Sequence, residues 1–372
     1  MRLTALLEGL SYRILAGPLD PEVCELVHNH QEVRPKAAFV AIQGARFDGH
    51  AFVPEAIQRG AGAVIVERPV EVPPEVTVVQ LEDTRRALSL LAANRYGHPA
   101  NSLVLVGVTG TNGKTSVTYL VQSLFARRGY ACSRIGTIAY EIGGELLSAG
   151  TTTPDALELQ RLLRRAVDRG SQAVVMEVSS HALVQHRVAA LQFDVAVWTN
   201  LTQDHLDFHQ TMEAYRDAKL LLFRRHLKPS GLAVLNRDDP LYPAFRTAAE
   251  EAGAQRITFG RDGSADVRAE AVELTPTETR FLLRWNDKAQ PVRLRLLGIF
   301  SVWNALAAAA VGLGMGWELP EIVEAIESVP GVPGRFEPVH AGQPFGVVVD
   351  YAHTPDALKN SLKGPVPSDR SG

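Results

Sequence analysis

Leu103-Val104-Leu105-Val106-Gly107-Val108-Thr109-Gly110-Thr111-Asn112-Gly113-Lys114-Thr115 is the stretch that decides the fold. The apolar run from Leu103 to Val108 reads as a buried strand, and it enters a Gly-rich turn. Helical periodicity follows from Lys114 to Arg128, with Gly129 as its stop. In such a strand, turn and helix, the backbone N–H groups of Gly110, Thr111, Asn112, Gly113 and Lys114 point inward at phosphate oxygens, and the helix adds its positive end. Lys114 then bridges the β- and γ-phosphates and the Thr115 hydroxyl ligates Mg²⁺, so the expected cofactors are ATP and Mg²⁺. Val108 stands where the eight-residue form of this loop has its first glycine, so the match is to a shorter form. An ordinary Gly-rich turn is the alternative, and Gly113-Lys114-Thr115 in the expected place argues against it.

Outward from this loop, strand-like runs recur at Ala173 to Val178 and Val195 to Asn200, with helical stretches such as Leu157 to Arg169 between them. That alternation predicts parallel βαβ crossovers. Before it, Ala38 to Ile42, Ala63 to Val66 and Val76 to Leu81 alternate with helical patterns and close at Gly97-His98-Pro99. After it, Ala265 to Leu297 switches to period-two strands without helices, followed by helical patterns at Ser301 to Met315 and Pro320 to Ser328. Val329 to Gly334 reads as a linker. The expected fold class is α/β. A small N-terminal α/β domain (1–98) precedes a central P-loop-type, mostly parallel sheet with helices on both faces and an antiparallel patch (99–331, for ATP). An incomplete C-terminal Rossmann-like domain (332–372) follows, holding one strand from Gly346 to Asp350, too little to bury a core.

A length of 372 residues favours more than one domain, and 46% hydrophobic with 21% charged residues is ordinary for packed cores. The net charge of −3 gives no global attraction for nucleic acid or an anionic membrane, so neither is an expected partner. Cys24 and Cys132 are too few for a disulfide framework, which fits a reducing cytoplasm. No export signal and no run of eighteen apolar residues is present. A cytoplasmic monomer is expected.

Glu177 ends the apolar run Ala173-Val174-Val175-Met176, where ligands gather in open α/β sheets, and His205 follows the strand ending at Asn200. Both are placed to hold Mg²⁺, with capping or hydrogen bonding as the alternative. Lys219 shares a helical face with Tyr215 and Leu222, putting its amine on or beside an apolar stripe. Burial favours an uncharged amine able to take up CO₂ as a Mg²⁺-binding carbamate, whereas snorkelling to solvent is the alternative.

These blocks, with Thr151-Thr152-Thr153-Pro154-Asp155, Glu177-Val178-Ser179-Ser180-His181, Gln185-His186-Arg187, Asn200 to His205, Asn304-Ala305, Gly334 to Glu337 and Asp350 to Asp356, resemble the Mur ligases over roughly residues 20 to 362. Within that family they are most similar to the ligases that add the third residue of the peptidoglycan stem peptide. The resemblance implies that Thr152, Thr153, Ser179, Gln185 and Arg187 hold the UDP-sugar peptide. It implies that Glu177, His205 and a carbamylated Lys219 ligate Mg²⁺, and that Asn304, Arg335 and Asp350 contact ATP. The implied reaction joins a free amino acid, diaminopimelate or lysine, to UDP-MurNAc-L-Ala-D-Glu. ATP first converts the D-Glu carboxylate to an acyl phosphate, which the amine displaces. Lys114 and Mg²⁺ neutralise the charge that develops.

Two departures stand out. Asn29-His30-Gln31 stands where many ligases of the third residue carry Asp-Ser-Arg before Val33-Arg34-Pro35, and the family's amino-acid-selecting motif is not found after Leu362. A non-catalytic nucleotide- or UDP-sugar-binding protein of the same lineage, a different Mur or folylpolyglutamate-type ligase and a fragmentary copy therefore stay open. ADP release dependent on the UDP-dipeptide and an amino acid separates catalysis from binding.

Overall fold

The computed structural model describes residues 1–44, 47–275, 277–339, 342–343, 345, 347–352 and 358. It divides into two compact units. The first comprises Met1–Ser102, Pro154–Val167 and Ala182–Leu191, and the second Leu103–Thr153, Asp168–His181 and the chain from Gln192. The first unit thus takes in two segments that the sequence reading placed in the central region.

In the first unit, strands β1 (Arg13–Ala16), β2 (Glu25–Val27), β3 (Ala37–Val40), β4 (Ala61–Val66) and β5 (Thr77–Gln80) form one sheet in the order β1-β5-β4-β3-β2, parallel except for β1. Its helices are α1 (Leu3–Leu6), α2 (Val53–Gln58) and α3 (Thr84–Tyr96). Successive strand residues face opposite sides. Ala38, Val40, Ala63, Ile65 and Val79 accordingly pack with Leu3, Leu6, Leu88 and Leu91. Phe39, Val64, Val66 and Val78 pack on the other side with Val53 and Ala56. The Asp83 carboxylate accepts from the Arg86 N–H at 2.8 Å to start α3, and left-handed Gly97 ends it, which is the physical basis of the stop read at Gly97.

The chain continues as β6 (Val104–Thr109), α4 (Lys114–Arg127), β7 (Cys132–Ile135), β8 (Ala139–Ile142), β9 (Glu145–Ser148), α5 (Ala156–Asp168), β10 (Ala173–Glu177), α6 (Ser180–Val184), β11 (Phe193–Trp198), α7 (Leu206–His209) and α8 (Met212–His226). Then come β12 (Leu227–Asn236), α9 (Tyr242–Glu251), β13 (Gln255–Gly260), β14 (Val267–Leu274), β15 (Thr279–Trp285), β16 (Lys288–Leu294), α10 (Phe300–Gly314) and α11 (Leu319–Ser328). An eleven-stranded sheet runs β16-β15-β14-β13-β12-β11-β6-β10-β7-β8-β9. It is parallel from β14 to β7, with antiparallel strands at both ends. Val106, Val108, Val175, Val197 and Val234 pack beneath α4, α10 and α11. On the opposite side α8 and α9 cover the sheet, where the Trp198 and Phe245 rings stack at 3.8 Å. Coverage on both faces is why these strands read as unbroken apolar runs.

Two features differ from the sequence reading. The β8-β9 hairpin was not foreseen, although Gly143-Gly144 between its strands is a turn signal. Strand β12 leaves α8 without a turn, and Pro229-Ser230-Gly231 breaks its pattern where the pairing with β11 shifts register. Near the chain end, Glu337–Pro338 (β17) pairs with Val348–Val349 (β18). Gly346 and the stretch 353–356 of the expected motif lie outside the described residues. No helix among the described residues is long and apolar enough to cross a membrane.

Candidate active site

Strand β6 delivers the chain to Gly110, whose φ of +150° puts its α-carbon where any Cβ would strike the Thr199 hydroxyl. At Gly113, with φ +85°, a Cβ would come within 2.4 Å of the Asn304 carboxamide oxygen, so glycine is required at both turns. The segment after β11 clamps the loop: Thr111 N–H donates to the Asn200 carbonyl and Asn112 N–H to Asn200 Oδ1, both at 2.9 Å. The Thr199 hydroxyl donates to the Asn112 carbonyl at 2.6 Å. No side chain caps α4, so the positive end of a 14-residue helix is left for an anion. The Lys114 amine folds back on the Gly110 and Thr111 carbonyls at 2.9 and 2.8 Å. Burial lowers its pKa, partly opposed by Glu177.

Glu177, fully buried at the end of β10, accepts from the Thr115 hydroxyl at 2.9 Å, from Thr137 N–H at 2.8 Å and from the Thr137 hydroxyl at 3.0 Å. Arg335 donates to the Thr115 oxygen at 3.0 Å and lies 5.0 Å over the Tyr351 ring. Asp350 accepts from Phe336 N–H at 2.7 Å and Ala352 N–H at 2.8 Å. All these except Phe336 line one cavity of about 570 Å³ in the second unit, together with Thr152, Asp204, His205 and Asn304. The juxtaposed Thr115 hydroxyl and Glu177 carboxylate are hard oxygen donors suited to Mg²⁺. No cluster of three or more His, Cys, Asp or Glu among the described residues forms an all-protein cage. That donor set fits an ion which keeps waters and completes its shell with phosphate oxygens.

Lys219 does not snorkel. Its side chain is 1% exposed, its amine donates to the Gly110 carbonyl at 2.9 Å, and it sits 4.5 Å over the Tyr215 ring, whose hydroxyl is 3.2 Å from the Thr111 hydroxyl. Burial, reinforced by Lys114, holds this amine well below its ordinary pKa. It lies against the loop rather than in the cavity wall. His205 caps α7 in the left-handed region, 3.4 Å from Asp204, and burial lowers its pKa.

The residues expected to hold the UDP-sugar peptide fall in both units. The Thr152 hydroxyl is 3.1 Å from that of Thr137, and the Thr153 hydroxyl donates to the Glu177 carbonyl at 2.9 Å while accepting from Ser179 N–H at 3.0 Å. Gln185 and Arg187 belong to the first unit, where the guanidinium donates twice to Gln185 Oε1, at 3.1 and 2.7 Å. That unit has its own cavity of about 860 Å³ along the edge strand β2, with His28 3.6 Å from Asp155 and with Arg34, Arg95 and Arg161 on its wall. Asn29-His30-Gln31 begins a short 3₁₀ turn, His30–Glu32, capped by the Asn29 carboxamide at 3.0 Å, and the His30 ring stacks on Phe52 at 4.4 Å.

Sequence reading missed Thr137, Asn236 and Trp303. Asn236 stands at the carboxyl end of β12 as Glu177 does at the end of β10, so the same strand-end rule finds it once β12 is recognised.

Comparison with known proteins gives concordant matches. Residues 108–312 match the Mur ligase middle domain and residues 28–96 the Mur ligase family catalytic domain. The chain is 44% identical over 349 residues to the UDP-N-acetylmuramoyl-L-alanyl-D-glutamate–2,6-diaminopimelate ligase of Geobacillus thermodenitrificans, covering 92% of this chain and 70% of that one. It is 43% identical over 369 residues to the Bacillus licheniformis protein of the same name, covering 97% and 74%. Among solved structures, a ligase of that name aligns with a TM-score of 0.78 at 30% identity over 92% of this chain and 69% of that one. MurF of Thermotoga maritima in complex with ADP aligns at 0.66 and 26% over 91% and 73%. Loop geometry, strand-end carboxylate and these matches agree: the chain belongs to the Mur ligase family.

Proposed function

We propose that this protein is an ATP-dependent ligase of peptidoglycan synthesis that joins 2,6-diaminopimelate to the D-Glu carboxylate of UDP-MurNAc-L-Ala-D-Glu. The observation that carries the reading is the Lys114–Thr115–Glu177–Arg335 constellation around an uncapped helix end. The relatives named for that substrate pair support the choice of amine over lysine.

A carboxylate acylates poorly until its oxygen is converted to a phosphate leaving group. The carboxylate oxygen attacks the γ-phosphorus of ATP, and ADP departs. The amine nitrogen then attacks the acyl carbon, phosphate leaves, and the nitrogen loses its proton. Protein groups act on both steps through position and charge rather than as nucleophiles. The amides from Gly110 to Lys114 and the α4 terminus grip the phosphates. Lys114 exchanges its two loop carbonyls for phosphoryl oxygens, and Arg335 adds a second cation beside Thr115. Mg²⁺ would supply charge neutralisation there; Thr115, Glu177 and His205 would hold it from the cavity wall, and Lys219 would join them once carbamylated and turned from the Gly110 carbonyl. Asn304 and Asp350 contact ATP, whereas Thr152, Thr153, Ser179, Gln185 and Arg187 hold the sugar-peptide. The first unit takes the UDP end. We place the enzyme in the cytoplasm as a monomer.

Incubation with ATP, Mg²⁺, the UDP-dipeptide and diaminopimelate should give ADP and a UDP-tripeptide mass only when all components are present. ADP release that ignores the dipeptide, or no amide product, would overturn the reading.

A further inference from the structure

The cavity that holds the loop carries a second kind of wall. Helix α10 and the residue before it contribute Ile299, Phe300 and Trp303 beside Asn304. A triphosphate has no use for an apolar surface, but the planar base of a nucleotide needs one. The Trp303 indole is also held in place. Its Nε1–H donates to Asp238 Oδ2 at 2.7 Å, and Asp238 accepts the N–H groups of Arg261 at 2.7 Å and Asp262 at 2.9 Å. The Arg261 guanidinium lies 5.8 Å over the indole.

The latch continues to the phosphate loop. Asp238 N–H donates to Asn236 Oδ1 at 3.0 Å, and Asn236 Nδ2 donates to the Thr199 carbonyl at 2.6 Å. The Thr199 hydroxyl in turn donates to the Asn112 carbonyl at 2.6 Å. An unbroken hydrogen-bonded chain, Trp303, Asp238, Asn236, Thr199, Asn112, therefore fixes the aromatic ring relative to the loop that grips phosphate. A ring kept only to fill space needs no such connection.

From this chain of contacts we propose that Trp303 is the platform for the nucleobase of the bound nucleotide, and that Asp238 is the positioning residue that sets the ring at the right distance from the phosphates. The proposal rests on the assignment of the loop to ATP. The ligand read by Trp303 is a purine nucleoside triphosphate, and the portion it reads is the base alone.

The test compares Mg²⁺-ATP with Mg²⁺-tripolyphosphate, which has the phosphates and no base, by calorimetric titration of the full chain. Trp303→Ala should bind ATP about tenfold more weakly, the usual loss when a base loses an aromatic partner, and tripolyphosphate unchanged. Trp303→Phe should retain most of the ATP affinity. Asp238→Ala, with the indole present but unlatched, should lose about threefold for ATP and nothing for tripolyphosphate. Tryptophan fluorescence should respond to ATP but not tripolyphosphate, and the response should vanish in Trp303→Phe, which keeps Trp198, Trp285 and Trp317. Equal losses for both ligands would mean that Trp303 only supports the fold, and unchanged ATP affinity in Trp303→Ala would end the proposal while leaving the loop assignment intact. Failure of the wild type to bind either ligand would refute the loop assignment itself, and Trp303 with it.

Discussion

The Lys114 amine donates to two backbone carbonyls of its own loop, so removing it takes away a phosphate partner without taking away apolar packing. Lys114→Ala should abolish ATP turnover while the thermal unfolding midpoint stays within a degree or two; unaltered turnover would contradict the role given to it. Gly113 presents the opposite case. A methyl group there meets the Asn304 carboxamide and imposes a left-handed conformation that L-residues resist. Gly113→Ala should lower nucleotide affinity at least tenfold by distorting the loop, measured by equilibrium binding, and wild-type affinity would show that the loop tolerates the shift.

Strand β11 runs between two covered faces, with Trp198 pointing into the layer beneath α8 and α9 and stacking on Phe245. Trp198→Ala leaves a cavity the size of an indole and should cost about 3–5 kcal/mol in urea unfolding; a loss under about 1 kcal/mol would mean that the layer collapses to refill it. The same element carries Thr199 and Asn200 at its end, so its stability and the placement of the phosphate loop are linked. Elements of this kind were legible because both-face burial writes a continuous apolar run. Strand β12 was not, because Pro229, Ser230 and Gly231 interrupt the run at a register shift, and only pairing with β11 and β13 restores it.

Across the molecule, the two units have separate apolar cores and separate cavities. Hydrogen exchange should therefore resolve their ligands: ATP should protect 104–115, 173–178 and 195–200, and the UDP-sugar should protect 24–35. Protection by ATP confined to 24–35 would reverse the assignment. The His28–Asp155 pair gives the first unit its own pH signature. Asp155 raises the His28 pKa above its ordinary 6.5, outweighing burial. Burial pushes Asp155 up, but the neighbouring His28 imidazole and the N–H groups of Glu158 and Leu157 bring it below 3.8 on balance. The imidazolium contribution is complete below pH 6.5 and is lost as pH rises through the raised value. The carboxylate contribution is complete above 3.8 and is lost as pH falls through the lowered one. Stability should thus decline as pH rises above 6.5 in the wild type and less steeply in His28→Asn; parallel slopes would show that the pair contributes nothing.

By itself the sequence determined the strand, loop and helix around Gly110 to Lys114, the α/β alternation, and the strand-end position of Glu177, because each depends on residues adjacent in the chain and on local periodicity. Tertiary structure alone decided that Lys219 turns inward to the Gly110 carbonyl 109 residues away, that Arg335 reaches Thr115 across 220 residues, and that Trp303 is latched to Asp238. Such contacts follow from how sheets and helices stack, and no local pattern encodes which distant side chains that stacking brings together.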